Sequence, residues 1–208
     1  MWKGGAWMKK IAIIDYGLGN LRSVIRGLEK AGANTFITGD AGEIASADGL
    51  VLPGVGAFHE GMDQLGPLKE TVVTSARQVP LLGICLGMQM LMETSEEHGI
   101  HKGLGLIPGC VKRFPSRSGY KVPHMGWNSL EVDKADNPLF AGFGPDEYVY
   151  FVHSYFAETL PAFTLTTTPY ICPFASSVGK KYVFGVQFHP EKSGAAGLRL
   201  LANFIGMV

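Results

Sequence analysis

The segment Val79-Pro80-Leu81-Leu82-Gly83-Ile84-Cys85-Leu86-Gly87-Met88-Gln89 admits few folds. A short apolar run leads into a cysteine with a glycine two positions away on each side, and Leu86 to Glu93 then reads as a helix. Strand, sharp G-x-C-x-G turn and helix together make the sulfur version of a nucleophile elbow. Gly83 and Gly87 are expected where strand and helix approach too closely for a side chain, beside a strained turn. The geometry presents the Cys85 sulfur at a helix N-terminus, where free N–H groups and the helix dipole favour the thiolate.

Gly185-Val186-Gln187-Phe188-His189-Pro190-Glu191 supplies what such a cysteine needs. Imidazole exchanges a proton near neutral pH. A carboxylate on its other ring nitrogen fixes tautomer and orientation. Pro190 keeps His189 out of the helical region, so the tripeptide is expected to be extended, with His189 and Glu191 projecting to one side. Cys85, His189 and Glu191 are the candidate triad.

Ile11 to Asp15 reads as a buried strand, and Asn20 caps a helix running to about Lys30 and stopped by Gly32. Strands are expected near Thr35 to Thr38, at Gly49 to Leu52 and at Val79 to Ile84, with a helical stretch inside Phe58 to Arg77 broken at Gly66-Pro67. Apolar strands alternating with helices predict an α/β fold: an open, mostly parallel, doubly wound sheet, flavodoxin-like, with helices on both faces. Gly105 to Val132 changes character and suggests an antiparallel excursion. Further strands are expected at Glu147 to Phe156, Phe163 to Thr168, Phe174 to Val178 and Tyr182 to Phe188, before a closing helix from Gly194 to Phe204. Residues 1–9 read as a leader, with Met8 an alternative start, and 10–208 as one domain. Asp15 to Asn20, Pro53 to Phe58 and Cys85 to Gln89 all follow strand ends and should converge on one rim of the sheet.

Lys+Arg and Asp+Glu both number 18, so charge advertises neither nucleic acid nor membrane. No apolar run approaches the roughly 20 residues of a membrane span. Cys85, Cys110 and Cys172 form no C-x-x-C pair, so neither a zinc site nor a disulfide framework is suggested, and a free thiol fits a reducing cytoplasm. Gly17-x-Gly19 lacks the third glycine of a dinucleotide fingerprint, because Arg22 stands there. No cofactor and no metal is expected: His98-Gly99-Ile100-His101 reads as a surface loop, and His59, His124 and Cys110 as structural residues.

The elbow and the His-Pro-Glu segment resemble the class I (triad) glutamine amidotransferases. Asp15-Tyr16-Gly17-Leu18-Gly19-Asn20, Leu52-Pro53-Gly54-Val55-Gly56-Ala57-Phe58, Pro123-His124-Met125-Gly126-Trp127-Asn128, Tyr150-Phe151-Val152-His153-Ser154-Tyr155 and Val186 to Ser193 narrow the resemblance to the glutaminase subunits of imidazole glycerol phosphate synthase. It runs from about Lys10 to the C-terminus. The activity implied is hydrolysis of the glutamine side-chain amide through a thioester on Cys85. Its oxyanion needs backbone donors: Leu86 N–H directly after the nucleophile, and Val55 N–H, with Gly54 next, from the glycine-rich loop. The resemblance further implies that Gly56, Gln89, Glu97 and the backbone of His153, Ser154 and Tyr155 surround bound glutamine. Glu96 competes with Glu97, because the helix end is not fixed by the sequence.

Nothing in the chain offers a phosphate cradle for a phosphorylated sugar intermediate. The resemblance implies a partner, a cyclase subunit of barrel fold in a heterodimer, which receives ammonia through an internal channel and controls glutamine turnover. Tyr16, Asn20, Met125, Trp127 and Asn128 are the candidate docking residues, since exposed Trp and Met beside polar groups suit an interface. Two alternatives stand beside this reading: the glutaminase subunit of another class I enzyme, such as pyridoxal phosphate synthase, or a catalytically silent binding protein on the same fold.

Overall fold

A computed structural model describes residues 9–145 and 147–208. Residues 1–8, expected with Lys9 to form a leader, lie outside the described residues. The first part of the chain alternates strand and helix: β1 (Lys10–Ile14), α1 (Leu21–Lys30), β2 (Asn34–Thr38), α2 (Ala41–Ser46), β3 (Gly49–Gly54), α3 (Phe58–Gln64), α4 (Lys69–Ser75), β4 (Leu81–Cys85) and α5 (Leu86–Met90). A short 3-10 turn at Gly66–Leu68 separates α3 from α4, where the Gly-Pro pair stands. The Asn20 side chain accepts the Ser23 N–H at 3.3 Å and caps α1.

The second part is strand-rich. It runs β5 (Met92–Ser95), β6 (His101–Lys102), β7 (Ile107–Arg113), β8 (His124–Ser129), β9 (Glu131–Val132), β10 (Tyr148–His153), β11 (Tyr155–Glu158), β12 (Thr164–Thr168), β13 (Phe174–Lys180) and β14 (Val183–Val186), and ends with α6 (Gly194–Met207). The sheet order is β2-β1-β3-β4-β14-β13-β11-β7-β5-β6, with β12 and β9 branching from β13 and a separate pair β10-β8. The five strands from β2 to β14 are parallel, whereas β13, β11 and β7 continue the sheet antiparallel. Of the expected excursion, β7 joins the main sheet and β9 its branch at β12, whereas β8 lies in the separate pair with β10.

Period-two alternation sorts the core onto the two faces. Ile11, Ile13, Val51, Leu82 and Ile84 pack with Val24 and Leu28 of α1 and Leu200, Leu201 and Phe204 of α6. Ala12, Ile14, Leu50, Leu52 and Leu81 pack on the other face with Ile44, Phe58, Met62, Val72 and Met88 from α2 to α5. Each fully buried Leu- or Phe-sized side chain contributes about 1.5–3 kcal/mol. Among the described residues no helix is long and apolar enough to cross a membrane.

Two elements differ from expectation. The helix after Cys85 stops at Met90 rather than Glu93. From Met92 the chain instead forms β5 beside β7, and the carbonyls of Met90, Leu91 and Met92 receive N–H groups of Leu104, Leu106 and Gly105 at 2.8–3.1 Å. The expected strand from Glu147 to Phe156 divides at Ser154: β10 pairs with β8, and β11 joins the main sheet beside β7. That break opens the chain at His153-Ser154-Tyr155.

Candidate active site

β4 lies between β3 and β14 and ends at Cys85, which adopts φ +54° and ψ −109° at the N-cap of α5. Positive φ on a non-glycine residue is a strained conformation, held here by what surrounds it. A Cβ built on Gly83 lies 2.8 Å from backbone atoms of Gly87 and Met88, and one built on Gly87 lies 1.8 Å from Leu52 O. Both glycines of the elbow therefore occupy positions that no side chain can enter. Cys85 is 8% exposed.

β14 runs parallel to β4 with Val186 opposite Ile84, which carries the next residues past the sulfur. His189 is tied down on both sides of its peptide: its N–H donates to Tyr150 O at 2.9 Å and its carbonyl accepts from Ser193 Oγ at 2.6 Å. His189 Nδ1 lies 2.9 Å from Glu191 Oε1, with both side chains almost wholly buried. The tripeptide is not extended throughout. His189 is, but Pro190–Lys192 form a 3-10 turn with Pro190 in its first turn, and that turn swings Glu191 back beneath the ring. Helices brace the turn closely: a Cβ on Gly197 of α6 would lie 1.9 Å from Pro190 O, and one on Gly27 of α1 3.2 Å from Glu191 Cβ.

His189 Nε2 is buried without a hydrogen-bond partner, and its ring lines the same cavity as the sulfur. Burial disfavours the charged ring, but the neighbouring Cys85 and Glu191 outweigh it and raise its pKa to about 9. The ring is thus oriented by Glu191 and free on the side facing the nucleophile.

A cavity of about 350 Å³ opens here, lined by Val55, Gly56, Cys85, Leu86, Gln89, Glu97, His153, Ser154, Tyr155 and His189, together with Pro123 and Val152. Gly54 stands opposite Cys85 in the β3–β4 ladder, and a Cβ there would meet Tyr16 Oη at 2.4 Å. Val55 is 41% exposed and Gly56 takes φ +100°, so the loop turns over the cavity at the glycine. Glu97 lines the cavity and its Oε2 accepts the Phe58 N–H, the first of α3, at 2.6 Å. Glu96 is exposed, outside the cavity, with its carboxylate 4.0 Å from Cys110 Sγ. Gln89 is buried, and Nε2 donates to Tyr155 O and Gln187 Oε1 at 3.0 Å each, so only its carbonyl remains for a ligand.

Among the docking candidates, Tyr16 is corrected. It is 5% exposed and its hydroxyl donates to Pro53 O at 2.8 Å, so it supports the glycine-rich loop from below instead of facing outward. Asn20 is exposed, and Met125 and Trp127 are 64% and 56% exposed on β8. Asn128 turns partly inward, toward His124 and Pro169 O. His101, expected in a surface loop, opens β6 opposite Ser95 and stacks on His59 with ring centroids 4.4 Å apart. Among the described residues no group of three or more His, Cys, Asp or Glu side chains is disposed to hold a metal ion.

Sequence reasoning missed Gln187 and Ser193. Gln187 is fully buried and its Nε2 lies 3.7 Å from Cys85 Sγ. Ser193 joins His189 to Tyr150 through its hydroxyl. A polar residue inside the otherwise apolar run Val183 to Phe188 was the signal for the first. The second left none, because its partners are backbone atoms.

The chain belongs to the class-I glutamine amidotransferases, a family that matches residues 12–207. It is 55% identical over 203 residues to imidazole glycerol phosphate synthase subunit HisH of Methanosarcina mazei, covering 96% of this chain and 100% of the relative. The subunit of the same name from Natronomonas pharaonis is 51% identical over 205 residues, covering 94% of each chain. Among solved structures, PurLQS from Thermotoga maritima superposes with a TM-score of 0.72 over 96% of this chain and 99% of its own; at 19% identity this shows the fold alone.

Proposed function

We infer that this chain is the glutaminase subunit of an imidazole glycerol phosphate synthase, releasing ammonia from glutamine for a cyclase subunit in histidine biosynthesis. The identity to the HisH subunits supports this reading. The observation that carries the chemistry is one cavity lined by Cys85 and His189, with His189 Nδ1 2.9 Å from Glu191.

In this reading the Cys85 sulfur attacks the amide carbon of glutamine. Leu86 N–H and a donor from the loop, Val55 or Gly54, hold the oxyanion. Protonated His189 gives its Nε2 proton to the departing ammonia and then takes one from water, which cleaves the thioester to glutamate and regenerates the thiol. Glu191 keeps the ring in one orientation through both transfers. The free oxygen of Glu97 takes the α-ammonium, and the Gln89 carbonyl and the backbone of His153, Ser154 and Tyr155 complete the pocket around Gly56.

The partner is a cyclase of barrel fold, docked over Asn20, Met125, Trp127 and Asn128 beside the cavity mouth, so that ammonia passes inward without meeting bulk water. The pair works in the cytoplasm. The test is ammonia release from glutamine by the chain with and without an imidazole glycerol phosphate synthase cyclase subunit and its ligand. Strong stimulation that vanishes in Cys85→Ala is expected. Turnover indifferent to the cyclase would overturn the pathway assignment, and no turnover in any mixture would favour a silent binding protein.

A further inference from the structure

A chain of hydrogen bonds runs from the surface at Asn128 to the buried nucleophile, and its polarity is fixed along its length. Gln89 Nε2 must be the amine end, because it reaches Tyr155 O, a pure acceptor, at 3.0 Å. It then donates to Gln187 Oε1 at 3.0 Å, which turns Gln187 Nε2 toward Cys85 Sγ at 3.7 Å. Tyr155 O also accepts from His153 Nδ1 at 2.7 Å, so His153 Nε2 accepts from His124 Nδ1 at 3.1 Å. His124 Nε2 in turn accepts from Asn128 Nδ2 at 3.3 Å, and Pro169 O fixes that amide by accepting from the same nitrogen at 2.8 Å. Each ring must be neutral for this arrangement. Burial lowers the pKa of His124 to about 4 and that of His153 to about 3, with the Tyr155 carbonyl opposing the second shift only in part.

We propose that Gln187 is a positioning residue for the nucleophile, donating a side-chain amide hydrogen to the Cys85 sulfur and so favouring its ionised, attacking form. Gln187 is wholly buried and does not line the glutamine cavity. Its direct contact is with the sulfur; it reaches the glutamine pocket only through Gln89, whose amide Tyr155 O also holds. An amide in this place can face the sulfur with either end, and the chain selects the donor. The other titratable groups around the sulfur are His189 with Glu191 behind it, Tyr16, Glu97 and His153.

The test follows iodoacetamide alkylation of Cys85 against pH in the full chain, with Cys110→Ser and Cys172→Ser removing the competing thiols. Gln187→Met, which keeps the length and removes the donor, should raise the alkylation midpoint by about one pH unit. Gln187→Glu should raise it further, since a carboxylate beside the sulfur opposes its charge. In the complex with the cyclase, Gln187→Met should lower kcat about tenfold and leave KM within about twofold. An unchanged midpoint in either folded variant overturns the proposal. The native chain gives an independent readout: the Gln187 side-chain amide resonances should shift across the Cys85 midpoint and stay flat in Cys85→Ala. Flat resonances in the native chain overturn the proposal even where no variant folds. The proposal rests on the glutaminase reading. Turnover that survives in Cys85→Ala would remove that reading, whereas Cys85-dependent turnover with flat Gln187 resonances would remove only this one.

Discussion

Gly87→Ala places one methyl group where the elbow has no room for it. Its Cβ would lie 1.8 Å from Leu52 O and must move to at least 3.0 Å, a displacement of at least 1.2 Å. The atoms on both sides are backbone, so no side-chain rotation relieves the contact. Leu52 sits in β3, hydrogen-bonded opposite Gly83 of β4, and Gly87 lies in the first turn of α5. Either a central strand or the helix carrying the nucleophile must shift. Overpacking in a well-packed interior costs about 1–3 kcal/mol, and a clash between two backbones belongs at the upper end. With a urea dependence of about 2 kcal/mol per molar, a loss of about 3 kcal/mol moves the unfolding midpoint down by roughly 1.5 M. Urea unfolding followed by circular dichroism reads this directly. Gly206→Ala is the matched control, since a Cβ there meets nothing within 4 Å in α6. It should be neutral or stabilising by up to about 1 kcal/mol. A Gly87→Ala midpoint equal to that of the native chain would refute the steric account of the elbow.

The raised His189 pKa makes stability pH-dependent. Because the folded value of about 9 exceeds the ordinary 6.5, the contribution is complete below pH 6.5 and is lost as pH rises through about 9. The full shift corresponds to at most about 3 kcal/mol; a thermal-melt series from pH 6 to 10 should show the decline, and Cys85→Ala and Glu191→Gln should each reduce it, the first more. Tyr16→Phe leaves the buried Pro53 carbonyl without its donor and should cost about 1–3 kcal/mol in urea unfolding, whereas an unchanged midpoint would mean that the hydroxyl does not support the loop. Trp127→Ala should leave the melting temperature within about 2 °C and weaken cyclase binding by about 2 kcal/mol or more in titration calorimetry. A collapse of the melting temperature instead would make Trp127 a core residue.

Much of the fold was legible because its signals are local. The Asn20 cap, the Gly66-Pro67 break and the alternating strands each follow from a few neighbouring residues. What escaped depends on distant chain. The early end of α5 goes with the pairing of β5 to β7, and the division of β10 from β11 with two different partner strands. Tyr16 reads as an interface residue with the other candidates around the site, yet it is 5% exposed and its hydroxyl is bound to Pro53 O. Glu97 was separated from Glu96 only by the geometry of the turn after β5.

The meeting of Cys85 and His189 depends on register, and the register carries a sequence mark. Gly83 of β4 and Gly185 of β14 stand opposite each other. A Cβ on Gly83 would lie 2.8 Å from Gly87 and Met88 backbone, and one on Gly185 2.7 Å from Met88 Cγ. The two glycines form one trough in which α5 rests. Slipping β14 by one residue would set Phe184 or Val186 beneath the helix and reverse the face presented by every residue beyond it, His189 included. The glycine before Val186 therefore does for the histidine strand what Gly83 does for the cysteine strand. A glycine two residues before the cysteine and another four before the histidine are two halves of one steric requirement, which brings a nucleophile and its base together from distant parts of the chain.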